Sequence, residues 1–293
     1  METMKKEQLA KFFEKYAIYV ILLAMIVVMS ILRPESFLSV NNFTNIMRQM
    51  SVIGVMSLGV TFCIITAGTD LSGGSVVAVS SIVAAIFAST EDQGGVMILV
   101  AILAAILAGA IAGLLNGLVI AYGKVPPFIA TLGMMSIARG IAMILSGGGP
   151  IGSFTEPFNE IGSGMIGGFL PYPVIIFAIC SFLAYTLLHK SKFGTYVYAI
   201  GGNENAALVS GLSVNKVKTA VYVLAGIFYG VAAIVLTSRQ QAGIPSVGIG
   251  YDMEAITCAI IGGSSFSGGI GTIGGNIVGA IRCYKWTPTG KPL

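Results

Sequence analysis

Apolar residues occur along the chain in runs of a dozen or more, interrupted by short polar breaks. The runs cover Tyr16–Leu32, Met50–Ala67, Val76–Ala88, Gly95–Ala121, Pro127–Leu145, Pro173–Leu188, Val217–Thr237, Met253–Gly262 and Ile270–Ile281. A helix crossing a bilayer needs about 20 apolar residues, fewer where it is broken or sheltered by protein. In lipid each backbone polar group must be satisfied within the protein, and a helix does this by itself. The pattern predicts an all-α polytopic membrane protein, a bundle of about 8–9 transmembrane helices.

The breaks carry their own signal. Gly68-Thr69-Asp70-Leu71-Ser72-Gly73-Gly74-Ser75 is too short for an aqueous loop and too polar for a helix interior. Glycine and serine at this density free the backbone from helical geometry. It is either an ordinary tight turn or a broken helix at membrane depth, which is tolerated only where buried in protein or lining a cavity. Shifting the chain by 195 residues lays Gly68, Ser72, Gly73 and Gly74 on Gly263, Ser267, Gly268 and Gly269. That echo favours broken or re-entrant helices near 68–75 and 262–270. Paired interruptions in two halves point to a transport site near the bilayer centre.

Basic residues orient the bundle. Lys5, Lys6, Lys11 and Lys15 precede the first run, and His189, Lys190, Lys192, Lys216 and Lys218 flank the 189–218 segment. Lysine-rich loops stay on the cytoplasmic side, so residues 1–15 are expected there, with Lys124. Glu91, Asp92 and the Gly147–Gly164 segment then fall outside, together with Arg33 and Arg48. The first run reads as a retained signal anchor, since no small-residue cleavage site follows it.

Composition agrees. Hydrophobic residues make up 55%, charged residues 10%, and the mean hydropathy is +0.90, whereas a soluble domain carries about 25% charge. The 39 glycines suit close helix packing in lipid. Cys63, Cys180, Cys258 and Cys283 lack metal-ligand spacing and read as small packing residues. The net charge of +4 comes without an aromatic-interleaved basic cluster, so nucleic acid is not an expected partner. No G-x-x-x-x-G-K-[ST] loop, H-E-x-x-H or strand-flanked nucleophile elbow is present. The chain is therefore not expected to be an enzyme or to bind ATP, metal or another cofactor itself.

Ionisable residues inside apolar runs are functional candidates, because each is costly in lipid unless paired. Asp70, Arg139, Asp252 and Glu254 qualify, and Ser72 lies beside Asp70. Asp70 is placed to cap a helix beginning at Leu71. Arg139 is expected to partner Asp70 or Glu254, or to snorkel. Asp252 and Glu254 complement the dipole of the helix they begin. Outside the runs, Asn203 is a helix N-cap, Glu204 favours the first turn, and Ala206 and Ala207 give a short small-residue helix stopped by Gly211. Such a helix is either a plain connector or a knob for a partner's groove.

Five stretches together resemble the permease subunits of ribose-type ABC importers, which also carry xylose, galactose and autoinducer sugars. They are Ile65-Thr66-Ala67-Gly68-Thr69-Asp70-Leu71-Ser72-Gly73-Gly74-Ser75, Phe128-Ile129-Ala130-Thr131-Leu132-Gly133, Tyr198-Ala199-Ile200-Gly201-Gly202-Asn203-Glu204, Gly211-Leu212-Ser213-Val214-Asn215-Lys216, and Ile261-Gly262-Gly263-Ser264-Ser265-Phe266-Ser267-Gly268-Gly269. The resemblance implies one transmembrane permease domain over 16–281, in the inner membrane of a bacterium, importing a monosaccharide such as ribose. It implies a second permease copy, an extracytoplasmic sugar-binding protein, and a cytoplasmic ATPase holding ATP and Mg. It makes 189–216 the coupling loop, with Asn203, Glu204, Ala206, Ala207 and Gly211 meeting the ATPase. Asp70, Ser72, Arg139 and Glu254 are candidates for the translocation pathway.

The family usually has isoleucine and valine at Thr69 and Gly73, and Glu then Asp at Asp252 and Glu254. It also typically continues through further helices, so the tail 282–293 reads as atypical and the permease as truncated. An ion-coupled secondary carrier using Asp70 and Arg139, or a truncated non-transporting remnant, is the alternative.

Overall fold

A computed structural model describes residues 27–28, 30–32, 39–89 and 95–283. Residues 284–293 of the expected tail 282–293 and most of the expected first span lie outside the described residues. The chain divides into two compact units, one of residues 1–46 with 284–293, the other Met47–Cys283. In the first, residues 27–28 and 30–32 are helical, and Ser39 Oγ accepts the Asn42 N–H at 3.2 Å.

The second unit is helical apart from two short ladders. Its order is α1 (Val40–Ile65, begun in the first unit), α2 (Gly73–Ala88), α3 (Gly95–Ala121), α4 (Pro127–Leu145), β1 (Ile151–Gly152), α5 (Glu156–Ser163), β2 (Met165–Ile166), β3 (Leu170–Pro171), α6 (Tyr172–His189), α7 (Lys192–Gly202), α8 (Glu204–Val209), α9 (Val214–Gln240), β4 (Ala242–Gly243), α10 (Tyr251–Ile261) and α11 (Ile273–Cys283). Among the described residues, five helices are long and apolar enough to cross a membrane: α1, α3, α4, α6 and α9. The 16-residue α2 is a shorter apolar helix. This is an all-α multi-pass membrane protein.

Helices sort by what surrounds them. Val52, Met56, Val60 and Phe62 of α1 are buried, as are Val76, Val77, Ala78 and Ile82 of α2 and Val221, Ala225 and Ala232 of α9. By contrast α3 exposes Leu99, Leu103, Leu107, Ile111, Leu114 and Leu118. Steps of three and four put these leucines on one face, an apolar stripe that lipid tolerates and water does not.

Glycine brings α3 and α9 together. Gly109 faces Gly226 so closely that a Cβ on either would overlap the other's carbonyl oxygen. Farther along, Gly113 meets the Tyr222 carbonyl and Gly117 meets Thr219, where a Cβ would lie 2.7 Å from Cα. Numbers rise on one helix as they fall on the other, so the pair is antiparallel. Without a hydrophobic drive between helices in lipid, this backbone-to-backbone packing holds them.

The two ends of the bundle are distinct. At one end Lys124 Nζ donates to Asn215 Oδ1 at 3.2 Å. At the other, β1 pairs antiparallel with β4 (Ile151 opposite Gly243). There α5 seats against α9, where Ser238 Oγ donates to the Phe158 carbonyl and accepts the Gly162 N–H, both at 2.6 Å. Arg48 Nη2 donates to the Ser163 carbonyl at 2.5 Å, at the same end. The sequence marked 147–164 as a segment outside the membrane, and its helix α5 went unpredicted because eight residues that include Pro157 and Gly162 carry little periodicity. Cys63, Cys180 and Cys258 form no disulfide among the described residues and are buried, as packing residues should be.

Candidate functional site

Between α1 and α2 the chain leaves helical geometry and stays inside the protein. Ala67 takes φ +57°, and Thr66, Gly68, Asp70, Leu71 and Ser72 are buried. Gly68 lies against the Tyr222 ring, where a Cβ would come 2.6 Å from the hydroxyl, and a Cβ at Gly74 would collide with the Gly248 carbonyl. Glycine at Gly74 is therefore a packing requirement, whereas a side chain at Gly68 would have to displace the Tyr222 hydroxyl.

Asp70 is the polar centre of this segment. Its Oδ1 accepts the Ser72 N–H at 2.9 Å and the Ser72 hydroxyl at 2.6 Å. Its Oδ2 accepts the Tyr229 hydroxyl at 3.1 Å. Ser72 Oγ in turn accepts an Nδ2–H of Asn116 at 2.9 Å. A chain of hydrogen bonds thus ties α3, the break and α9 together, and a buried carboxylate survives because each oxygen has a donor. The expectation that Asp70 caps a helix beginning at Leu71 is corrected. The helix begins at Gly73, Ser72 holds the N-cap position without a side-chain cap bond, and the carboxylate closes a tight turn onto Ser72 instead.

Arg139 lies elsewhere. Its Nη1 donates to the carbonyls of Pro245 and Val247, both at 2.7 Å, so α4 is tied to the loop before α10. That replaces the expected pairing with Asp70 or Glu254. Carbonyls in an irregular loop accept a guanidinium's donors without the added charge of a carboxylate, and no sequence pattern announces them. Asp252 and Glu254 stand in the first turn of α10, as expected, and Glu254 is exposed. Of the four pathway candidates, the fold brings together only Asp70 and Ser72.

The second break differs from the first. The 195-residue shift would start its helix at residue 268, but α11 starts at Ile273. Gly263, Gly268 and Gly269 all have positive φ, and Phe266, Ser267 and Ile270 are exposed. Its far end reaches the first break, where the Gly269 N–H donates to the Ile65 carbonyl at 2.8 Å. Gly201, near the end of α7, presses on that same carbonyl so closely that a Cβ would overlap it. Tyr198 on α7 donates its hydroxyl to the Gly271 carbonyl at 2.6 Å. One short stretch of α7 therefore touches the ends of both breaks.

From that junction the chain runs straight into α8. Asn203 Oδ1 accepts the Ala206 N–H at 2.9 Å, as an N-cap should. Gly211 stops the helix at φ +84°, a left-handed turn that glycine adopts freely. Ala207 is buried, whereas Glu204, Ala206, Leu208 and Val209 are exposed, Val209 at 89%. Lys218 Nζ pairs with Glu204 Oε2 at 2.5 Å. The result is a short helix braced on one side and presenting Leu208 and Val209 outward.

Sequence reasoning passed over Asn116, Tyr229, Gly201 and Tyr198 as participants. Asn116 had a signal, as the lone amide in the apolar run Gly95–Ala121. Tyr229 had none, since a tyrosine in an apolar helix looks like core.

A family model described as "Branched-chain amino acid transport system / permease component" matches residues 42–283. The chain is 41% identical to the ribose import permease protein RbsC of Escherichia coli (strain K12) over 263 residues, covering 89% of this chain and 80% of that one. It is 42% identical to the ribose import permease protein RbsC of Bacillus subtilis (strain 168), with the same coverage. It is 38% identical to the galactose/methyl galactoside import permease protein MglC of Haemophilus influenzae, covering 96% and 88%. No solved structure matches. With the match spanning helices α1 to α11 and both breaks, the chain belongs to this transport permease family, among its ribose-type members.

Proposed function

We propose that the chain is the membrane-spanning permease of an ATP-driven importer of a monosaccharide, ribose or a closely related sugar. It sits in a bacterial inner membrane with its N-terminus in the cytoplasm, works as a homodimer, and receives sugar from an extracytoplasmic binding protein. A separate cytoplasmic ATPase binds ATP and Mg, and the permease makes no covalent chemistry. The likeness to ribose and galactose import permeases supports the sugar class. The contact of Gly201 with the Ile65 carbonyl, one residue before the break that leads to Asp70, carries the mechanism.

In this mechanism α8 is the part the ATPase grips, through Glu204, Ala206, Leu208, Val209 and Gly211. Asn203 and Ala207 hold α8 in shape. Closure of the ATPase moves α8, and α7 carries that displacement to both breaks at once. The breaks act as re-entrant hinges beside the sugar pathway, because irregular backbone at membrane depth is stable only where protein or a cavity surrounds it. Asp70 and Ser72 set the shape of the pathway wall by bonding each other, Asn116 and Tyr229. Arg139 holds the loop before α10, and Glu254 faces out where solute can meet it.

The test is reconstitution with a candidate ATPase and binding protein in vesicles. Ribose uptake that requires ATP and survives collapse of ion gradients supports the reading. Uptake that follows the ion gradient and ignores ATP depletion overturns it in favour of an ion-coupled carrier.

A further inference from the structure

Along the outer face of α9 runs a crevice of about 550 Å³ that the transport mechanism does not use. Its floor is a single stripe of α9, from Lys216 through Ala220 and Leu224 to Ile227. Leu118 of α3 and Tyr122, just past its end, form one wall and Phe193 of α7 closes another. Phe193 stacks near the buried Phe62 with ring centroids 6.3 Å apart, so that wall is anchored to the core. The floor spans eleven residue steps, about 16 Å of helix, close to the half-thickness of a hydrocarbon core of about 30 Å.

Polarity along the crevice is graded. The interior is aliphatic, and the cationic group stands at the Lys216 end, with the exposed Tyr122 beside it. Lys124 is held next to this mouth by its bond to Asn215, the neighbour of Lys216. No carboxylate lines the crevice. Lys218 is paired with Glu204, while Lys216 has no hydrogen-bond or ion-pair partner among the described residues. The open side lies between helices whose outer faces are apolar, with Leu118 41% and Tyr122 54% exposed, so the crevice opens onto an apolar surface.

We propose that this crevice is a binding site for an anionic phospholipid, with an acyl chain along Ala220, Leu224 and Ile227 and the phosphate against the Lys216 ammonium. Charge complementarity selects the headgroup, since a basic mouth on an apolar slot between transmembrane helices attracts acidic lipid over neutral lipid. The same arrangement lets Lys216 lie along the slot with its charge at the surface.

The test is native mass spectrometry of the full chain in neutral detergent, titrated with phosphatidylglycerol or phosphatidylcholine. The wild type is expected to retain phosphatidylglycerol in preference. Lys216→Gln, an exposed change that leaves the packing alone, is expected to weaken that retention by about fivefold, the effect of one lysine at a lipid surface. Ala220→Trp, which fills the slot with its charge intact, is expected to weaken retention of both lipids. Unchanged phosphatidylglycerol retention in Lys216→Gln overturns the proposal. So does loss in Lys216→Gln with full retention in Ala220→Trp, which would indicate attraction to the surface without a slot. A crosslinker attached at Ala220→Cys that captures a second copy, or residues 16–32 of the same chain, would give the slot to protein and likewise overturn it.

Discussion

The hydroxyl of Tyr229 donates to Oδ2 of Asp70 at 3.1 Å, joining α9 to the unwound segment across 159 residues of chain. Among the described residues that oxygen has no other donor, whereas Oδ1 has two from Ser72. Tyr229→Phe removes the donor and leaves a buried acceptor bare, which costs about 1–3 kcal/mol. The expected outcome is a lower thermal midpoint in detergent and reduced uptake. Asn116→Leu should act in the same direction and by less, because it strips a donor from Ser72 and leaves the carboxylate's own bonds in place. Equal stability of Tyr229→Phe and wild type would show that the bond does not hold the break.

Gly201 has no room for a methyl group. A Cβ there would overlap the Ile65 carbonyl, which also accepts the Gly269 N–H. Gly201→Ala should push α7 off the junction at an overpacking cost of about 1–3 kcal/mol. Gly202→Ala, one residue on, has nothing within 4 Å of its added carbon and should be nearly silent. Comparing sugar-stimulated ATPase activity of the two variants in vesicles checks this, and equal activity would remove α7 from the transmission path.

Glu204→Lys breaks the pair with Lys218 and sets two cations together. An exposed pair contributes at most about 1 kcal/mol, so membrane insertion and thermal stability should hardly change. Coupling should fall, because the first turn of α8 would meet the ATPase with reversed charge. Gly211→Trp should do the same by straining the left-handed turn at φ +84°. Normal sugar-dependent stimulation of the partner ATPase in both variants would detach α8 from coupling.

Gly109→Val and Gly226→Val each drive a branched side chain into the facing backbone of the α3–α9 pair. Loss of folded protein is expected in both, at a cost of about 3 kcal/mol or more. Gly133→Val on α4, where a Cβ meets nothing within 4 Å, should express normally. Size-exclusion profiles of the three variants in detergent check the contrast.

Much of this architecture was legible because lipid imposes a simple code. The runs Gly95–Ala121 and Pro127–Leu145 match α3 and α4 residue for residue, and Pro173–Leu188 falls one residue short of α6 at each end. Asn203 and Gly211 were readable because capping chemistry is local: the side-chain acceptor and the positive φ each belong to one residue. The breaks were legible as places where glycine and serine interrupt an apolar run. Partnerships were not. Arg139 binds carbonyls 106 and 108 residues away, and Tyr229 reaches Asp70 from a helix whose rotation the sequence does not give. Tertiary hydrogen bonds depend on which faces of distant helices meet, and periodicity is blind to that when a helix is apolar on every side.

The close seam between α3 and α9 has a mechanical meaning. Two helices whose main chains touch at Gly109 and Gly226, with carbonyl oxygens filling the places of missing side chains, cannot slide past each other without collision. The pair must therefore move as one body, and any change of shape in this unit has to come from parts outside the seam, such as the irregular segments around residues 66–72 and 262–272.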